Sequence, residues 1–135
     1  MEIKNIMSRG VVTVKMDDTL SKVKEIFANN MFHHLLVVEN KKLFGVLSDR
    51  DLLKSLSPTV GTPAETNKDL AALNRKVHQI MTRRPIALHE SAQLGEAVEL
   101  FNQHKISCIP IVNHDEIPVG ILSWRDIMKA LIRST

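Results

Sequence analysis

The sequence predicts a mixed fold of helices and strands, α/β (α+β) in class. Two β-α-β-β-α repeats are expected to pack sheet to sheet with pseudo-twofold symmetry. Three observations support this prediction. The chain is duplicated internally, each half alternates helical and strand-like hydrophobic periodicity, and each half ends with the same short signature. The signature reads Gly45-Val46-Leu47-Ser48-Asp49-Arg50-Asp51 in the first copy and Gly120-Ile121-Leu122-Ser123-Trp124-Arg125-Asp126 in the second. A three-stranded unit of this size buries little apolar surface alone, so the copies are expected to cover each other.

The duplication extends through most of both halves. The lead-in Ile6-Met7-Ser8-Arg9 corresponds to Ile80-Met81-Thr82-Arg83, and the strand-like segment 35–38 corresponds to 109–112. Corresponding segments follow in the same order, with one residue inserted before the second signature. We therefore divide the chain into repeat 1 (1–57), a linker loop with a connecting helix (58–79) and repeat 2 (80–135).

Each repeat is predicted to contain five elements in the same order. A short strand (11–14 or 86–88) comes first, followed by an amphipathic helix (about 19–30 or 92–104). Two strands joined by a hairpin turn come next. They are expected at 35–38 and 43–47 in repeat 1, and at Cys108–Val112 and 119–122 in repeat 2.

A closing helix is expected directly after each signature serine. Ser48 and Ser123 are favourable N-cap residues, and Asp51 and Asp126 stand three positions later as the acidic arm of a capping box. A hydroxyl and a carboxylate beside the free N–H groups of a helix start suit a sugar phosphate. The same pair is what any capped helix needs, so the residues alone leave both interpretations open.

The linker is rich in loop formers over 57–67, which favours either a solvated connection or a mobile lid. Leu70, Leu73, Val77 and Ile80 then follow at helical spacing, which predicts a connecting helix over 69–81.

The composition excludes several other classes of protein. With 135 residues, 44% hydrophobic and 24% charged, the chain can form a globular core and does not have the composition of a disordered protein. A net charge of +3, scattered basic residues and 4% aromatics do not form the basic, ring-bearing stripe of a nucleic-acid surface. The single cysteine excludes an internal disulfide framework, and no leader or membrane-length apolar run is recognised. A soluble cytoplasmic protein is expected.

The residues predict neither catalysis nor a metal site. The six histidines do not have metal-ligand spacing, and the phosphate-cradling glycine loops and the nucleophile elbow are missing. Cys108 begins an apolar strand and is expected to be a small core residue. We therefore expect a protein that is not an enzyme and that requires no metal.

The duplicated Ile-Met-Ser/Thr lead-in, the strand containing Pro110 and the paired Gly-x-x-Ser-x-Arg-Asp signature resemble a tandem pair of CBS domains. This pair of cystathionine β-synthase modules is also called a Bateman module, and the resemblance covers essentially the whole chain. It implies a regulatory module that binds AMP, ADP, ATP or S-adenosylmethionine in clefts between the repeats. It also implies a homodimer formed through helices, which acts on an effector protein outside this chain.

The resemblance assigns roles to individual residues. Asp51 and Asp126 would accept both ribose hydroxyls, a role that suits a group that only accepts hydrogen bonds. Four signature residues would lie at the ribose and phosphate: Ser48, Ser123, Arg50 and Arg125. His33 and His34 would join them, where repeat 2 has Ser107 and Cys108. Adenine would be framed by Thr13, Val14, Ala87, Leu88 and Ile109.

Several alternatives stay open. A ligand-free dimerisation and protein-docking module would need the same duplication. Single-stranded RNA or DNA binding is favoured only by the pI of about 9.2 and by clefts of a shape that could take a nucleotide. Trp124, which replaces Asp49 in the second signature, could cover a ligand, form a dimer contact or be partly buried. The sequence ranks neither the adenosyl ligands nor the two clefts.

Overall fold

The computed structural model describes residues 1–133, so Ser134 and Thr135, the end of predicted repeat 2, lie outside the described residues. Seven strands occur in this part: β1 (Thr13–Val14), β2 (His34–Glu39), β3 (Lys42–Ser48), β4 (Thr82–Arg83), β5 (Leu88–His89), β6 (Cys108–Val112) and β7 (Pro118–Ser123). Five α-helices accompany them: α1 (Leu20–Ala28), α2 (Asp49–Ser55), α3 (Asn67–Leu73), α4 (Leu94–Gln103) and α5 (Trp124–Arg133). Within residues 1–133, the helices are too short or too polar to span a bilayer.

The strands form two mixed sheets. The first has the order β1-β2-β3-β4, and the second has the order β5-β6-β7. The first strand of each repeat pairs in parallel with the second, as shown by Thr13 opposite Leu36 and Leu88 opposite Ile111. The β-α-β-β-α order is therefore confirmed in both copies, and so is the α/β class.

The chain divides into two compact units that do not coincide with the sequence repeats. The copy-one unit contains residues 13–39 and 44–84, and the copy-two unit contains residues 1–12, 40–43 and those from 85 on. Each signature is thus joined by the lead-in of the other repeat. The repeat boundaries 1–57 and 80–135 remain a prediction about the sequence, whereas the packing units exchange their lead-ins.

In the copy-two unit the N-terminal lead-in lies along β7. Ser8 and Ile121 exchange two backbone hydrogen bonds, with N···O distances of 2.8 Å and 3.0 Å. Met7 is buried over Gly120, the glycine of the signature. A Cβ at Gly120 would lie 2.8 Å from Met7 Cγ and 3.0 Å from the Ser8 carbonyl oxygen, so only glycine fits without movement.

The copy-one unit repeats this contact with β4. Gly45 lies opposite Arg83 and Val46 opposite Thr82 in an antiparallel pairing. A Cβ at Gly45 would lie 2.6 Å from the Met81 sulfur and 3.0 Å from the Thr82 carbonyl oxygen. The signature glycine therefore meets the lead-in methionine in both units.

A fully apolar core fills the copy-two unit. Ile109, Ile111 and Leu122 come from the sheet, Ala97, Phe101 and Ile127 come from the helices, and Ile3 and Met7 come from the lead-in. Cys108 is also buried, as its apolar strand predicts. In the copy-one unit the side chains of Leu20, Val23 and Leu35 are fully buried.

The helix predicted over 69–81 is wrong, because it is divided into two pieces. α3 ends at Leu73, and a 3-10 turn at Val77–Gln79 follows. Between them the backbone extends: Leu20 N donates to Arg75 O at 2.9 Å, and Thr19 pairs with Lys76. The start of α1 therefore competes with helix continuation for these backbone groups.

The linker is tied to α3 by a carboxylate. Asp69 is only 5% exposed and accepts hydrogen bonds from the Thr59 hydroxyl and from Thr66 N, the latter at 3.0 Å. These bonds, that of Thr59 first, hold the pKa of Asp69 below 3.8.

We expect Gly120→Ala to lower the free energy of unfolding by about 1–3 kcal/mol, because the added methyl overpacks the contact with Met7 and Ser8. Gly45→Ala should act in the same direction through Met81 and Thr82. Urea denaturation of the full chain measures both changes.

Gly95→Ala is the matched control, because among the described residues no atom outside its chain neighbours and the nearby backbone of α4 lies within 4 Å of a Cβ added at Gly95. Replacing this helical glycine should raise stability by up to about 1 kcal/mol. Equal losses in all three variants would contradict the close-approach explanation.

Candidate functional site

The copy-one unit brings together the start of β2 and the start of α2. Asp49 N donates to the carbonyl oxygen of His33 at 3.0 Å, which fixes the two backbones side by side. The side chains meet as well, with 2.8 Å between His33 Nδ1 and Asp49 Oδ2. This contact lies at the surface, since the His33 side chain is 70% exposed. Two elements that are separate in sequence thus form one polar cluster.

The signature pair of this unit forms the predicted capping box. Ser48 N donates to Asp51 Oδ2 at 2.9 Å, and Asp51 N donates to Ser48 Oγ at 3.0 Å. Among the described residues, Asp51 Oδ1 accepts no hydrogen bond and the Ser48 hydroxyl donates none. Capping therefore leaves one carboxylate oxygen and one hydroxyl proton for another partner.

His34 lies within the electrostatic reach of this cluster. Burial lowers its pKa below 6.5, and His33 and Arg50 lower it further, whereas Asp49 and Asp51 oppose the shift. Desolvation dominates because it penalises the charged imidazolium. The two histidines therefore differ: His33 is exposed and paired with a carboxylate, and His34 is half-buried and favours the neutral form.

The remaining copy-one residues flank the cluster. Thr13 and Val14 form β1 and pair with Leu36 and Val37 of β2. The Thr13 side chain is exposed and that of Val14 is buried, so Val14 can offer a ligand little more than its backbone. Arg50 is exposed in the first turn of α2.

The copy-two unit carries a second cluster in which the signature carboxylate is more enclosed. Asp126 is 9% exposed, and its Oδ2 accepts from Ser123 N at 2.9 Å and from Ser123 Oγ at 3.1 Å. Its Oδ1 accepts from Ser8 Oγ at 2.7 Å. Arg125 is exposed beside it. The carboxylate is thus held by its own cap and by the N-terminal lead-in.

The predicted adenine-framing residues of repeat 2 have different environments. Ala87 and Leu88 are half-buried at β5, whereas Ile109 is fully buried in the core. Ser107 is exposed just before β6. Trp124 is 46% exposed and packs on Phe101 with ring centroids 4.8 Å apart. Partial burial therefore describes the tryptophan.

Two residues of these clusters were missing from the sequence prediction. Asp49 was visible as the variable position of the signature, but its contact with His33 depends on β2 beginning beside the start of α2. Ser8 was visible in the lead-in, but its contact with Asp126 depends on the exchange of lead-ins. Among the described residues, histidine, cysteine and carboxylate side chains form no group of three or more that could hold a metal ion.

Known families share this duplicated organisation. The family model of the CBS domain matches residues 3–58 and 77–133. A CBS domain-containing protein of Dictyostelium discoideum is 28% identical over 133 residues, which are 97% of this chain and 91% of that protein. Uncharacterized protein MJ1225 of Methanocaldococcus jannaschii is 28% identical over 96% of this chain, which spans 49% of it. Inosine-5'-monophosphate dehydrogenase of the same organism is 27% identical over 92% of this chain, which spans 22% of that enzyme.

Solved structures share the fold. The structure of MJ1225 has a TM-score of 0.84 at 27% identity, covering 99% of this chain and 51% of that chain. The CBS domain pair of protein MJ0100, solved with 5'-methylthioadenosine and S-adenosyl-L-methionine, has a TM-score of 0.80 at 23% identity, covering 100% and 98%. CBSX2 of Arabidopsis thaliana, in complex with AMP, has a TM-score of 0.79 at 23% identity, covering 98% and 96%.

We expect the stability of the chain to fall as the pH drops below about 6.5, because burial depresses the pKa of His34. Between the folded and unfolded pKa values only the unfolded chain binds the proton, so acid favours unfolding in that window. Urea midpoints at pH 7.5 and pH 5.5 measure the effect.

His34→Gln should reduce the difference between these two midpoints, because glutamine does not titrate. His104→Gln is the matched control, since His104 is exposed after α4 and should leave the difference unchanged. An unaltered difference in His34→Gln would assign the pH dependence to other groups.

Proposed function

Because the chain belongs to the CBS domain family, we propose that it is a regulatory module that binds an adenosyl ligand. The ligand class is an adenine nucleotide (AMP, ADP or ATP) or S-adenosylmethionine. The main observation behind this proposal is the copy-one cluster. It places the Asp51 carboxylate, whose Oδ1 accepts no hydrogen bond among the described residues, in one unit with His33, His34 and Arg50. A carboxylate suits the ribose diol, and cationic side chains suit phosphate.

In this proposal, different residues of the copy-one cluster bind different parts of the ligand. Asp51 accepts the ribose hydroxyls, and the Ser48 hydroxyl donates to the ribose or to the first phosphate. The exposed Thr13 and the backbone of Val14 line the adenine. Because Val14 is buried, adenine recognition by this strand depends on its backbone groups.

The phosphate end of the proposed site contains competing charges. Arg50 and the ring N–H groups of His33 and His34 are of the kind that donates to a phosphate. Asp49 is held 2.8 Å from the His33 ring and would repel a phosphate. A phosphate bound at His33 would therefore lie close to the Asp49 carboxylate, and this repulsion limits the affinity gained from that histidine.

The copy-two cluster offers the corresponding groups: Ser123, Arg125 and Asp126 for ribose and phosphate, and Ala87, Leu88 and Ile109 for adenine. Ile109 is fully buried, so only its backbone is available. What this cluster lacks are the two histidines, whose positions are occupied by Ser107 and Cys108.

The comparisons support this ligand class. CBSX2 was solved with AMP, and the MJ0100 domain pair was solved with 5'-methylthioadenosine and S-adenosyl-L-methionine. All three ligands contain adenosine, and only AMP carries a phosphate. Related segments also occur within enzymes, such as inosine-5'-monophosphate dehydrogenase. We propose that this chain acts as a non-enzymatic cytoplasmic regulator of an effector protein.

A homodimer is the second part of the proposal. The α5 helix exposes Trp124, Met128, Leu131 and Ile132, each at least 46% accessible. Apolar side chains at this spacing form a stripe along one side of the helix. Burial of this stripe against a second copy would remove it from water. A ligand-free docking module would use the same stripe, so ligand titration separates the two functions.

We expect Asp51→Asn to lower the affinity for AMP about 10–100-fold. Titration calorimetry of the full chain with AMP, after removal of bound nucleotide, measures this change. The asparagine keeps the size of the side chain but replaces one charged acceptor oxygen by a donor. 2'-Deoxy-AMP should bind the unaltered chain more weakly than AMP, because one ribose hydroxyl is missing.

Asp115→Asn is the matched control, because Asp115 is exposed in the β6–β7 turn, and it should bind AMP like the unaltered chain. ADP, ATP and S-adenosylmethionine are titrated in parallel. If none of the four ligands releases or absorbs heat with a folded chain, the adenosyl-sensing function is wrong and the docking module replaces it.

We expect Leu131→Glu to convert a dimer into a monomer, because it places a charge in the apolar stripe of α5. Lys129→Glu, an exposed change on the same helix, should leave the dimer intact. Light scattering coupled to size-exclusion chromatography measures the mass. A monomeric unaltered chain at tens of micromolar would contradict the homodimer.

A further inference from the structure

The two signature carboxylates are not equivalent as hydrogen-bond acceptors. A carboxylate has about four lone-pair positions, two on each oxygen. Asp126 fills three of them, with Ser123 N and Ser123 Oγ on Oδ2 and Ser8 Oγ on Oδ1. Within residues 1–133, Asp51 fills one, with Ser48 N on Oδ2. A ribose diol needs two acceptor positions, which Asp51 has open and Asp126 does not.

The signature serines differ in the same sense. In the copy-two unit the Ser123 hydroxyl donates to Asp126 Oδ2 at 3.1 Å, so its single proton is in use. In the copy-one unit the Ser48 hydroxyl only accepts, from Asp51 N at 3.0 Å, among the described residues. Its proton remains available to a ligand. Both the donor and the acceptor of the copy-one pair can therefore face a ligand, whereas the copy-two pair bonds to itself and to Ser8.

Ser8 supplies the hydrogen bond that occupies Oδ1 of Asp126, and it has a direct counterpart in the other lead-in. Ser8 pairs with Ile121 on β7, and Thr82 occupies the corresponding position opposite Val46 on β3. The Ser8 hydroxyl lies 2.7 Å from Asp126 Oδ1, whereas the Thr82 hydroxyl makes no hydrogen bond to Asp51 within residues 1–133. The β-branched threonine is restricted at χ1, which limits the directions open to its hydroxyl.

Burial acts in the same direction as the hydrogen bonds. Asp126 is 9% exposed, whereas Asp51 is half-buried. A buried carboxylate with three donors would have to give up a hydrogen bond before it could take a diol, and a broken hydrogen bond to a buried charged group is unfavourable.

We propose that Ser8 is a specificity-determining residue that closes the copy-two carboxylate to a ribose diol, an inference that rests on the proposed function. The chain then binds one adenosyl ligand per polypeptide, at Asp51, and Asp126 is accessible only when the Ser8 hydroxyl is removed. The N-terminal lead-in thereby decides how many sites the duplicated fold offers.

Titration calorimetry of the full chain with AMP tests the proposal through stoichiometry. The unaltered chain should bind one AMP, and Ser8→Ala should bind two. In Asp51→Asn the affinity for AMP should fall at least about tenfold. The double variant Asp51→Asn with Ser8→Ala should recover a single site. This recovery is a gain of function, so general loss of structure cannot imitate it.

Thr82→Ala is the matched control, because it removes the corresponding hydroxyl of the other lead-in, which makes no hydrogen bond to a carboxylate in the part of the chain that the structure describes. It should keep a stoichiometry of one. Circular dichroism and urea midpoints check that each variant is folded, and the stoichiometry of the unaltered chain tests the proposal without any substitution.

The outcomes separate the inference from the proposed function. Two AMP molecules on the unaltered chain, or a stoichiometry of one in folded Ser8→Ala, would overturn the role of Ser8 and leave the adenosyl-binding function intact. Absence of AMP and S-adenosylmethionine binding in every variant would overturn both.

Discussion

The contact of each lead-in methionine with the glycine of the opposite signature is the constraint on which the rest of the structure depends. Met7 covers Gly120, and Met81 covers Gly45. No other residue type allows the lead-in backbone to approach β7 or β3 so closely. The contact also explains why the compact units are not the sequence repeats, since each lead-in leaves its own repeat and completes the other one. The signature glycine is a packing residue, whereas the serine and aspartate that follow it are polar residues of the site.

The same contact also positions a polar side chain of the copy-two cluster. Once the lead-in lies along β7, its next side chain, Ser8, reaches the carboxylate that caps α5. In the copy-one unit the equivalent strand β4 brings Thr82, and among the described residues one oxygen of the carboxylate that caps α2 accepts no hydrogen bond. The Ser8 hydroxyl, which lies outside the signature, is therefore one of the features that distinguish the two candidate sites.

The two histidines of the copy-one cluster have different electrostatic environments. His33 is exposed and paired with Asp49, and His34 is pushed towards the neutral form chiefly by burial. A ligand phosphate would compete with Asp49 for His33, and it would favour the charged form of His34. The affinity of the proposed site for phosphate thus depends on its carboxylates as much as on its cations.

Local physics determined much of this structure from the sequence alone. Periodicity predicted the order of elements, and the Ser48–Asp51 and Ser123–Asp126 capping boxes form between residues three apart, so no distant partner was needed. The helix over 69–81 was predicted wrongly because its backbone groups bond to the distant start of α1. The exchange of lead-ins, the His33–Asp49 pair and the Ser8–Asp126 bond were likewise decided only by the tertiary structure. Each joins residues far apart in the chain, and local propensities carry no information about which distant segments meet.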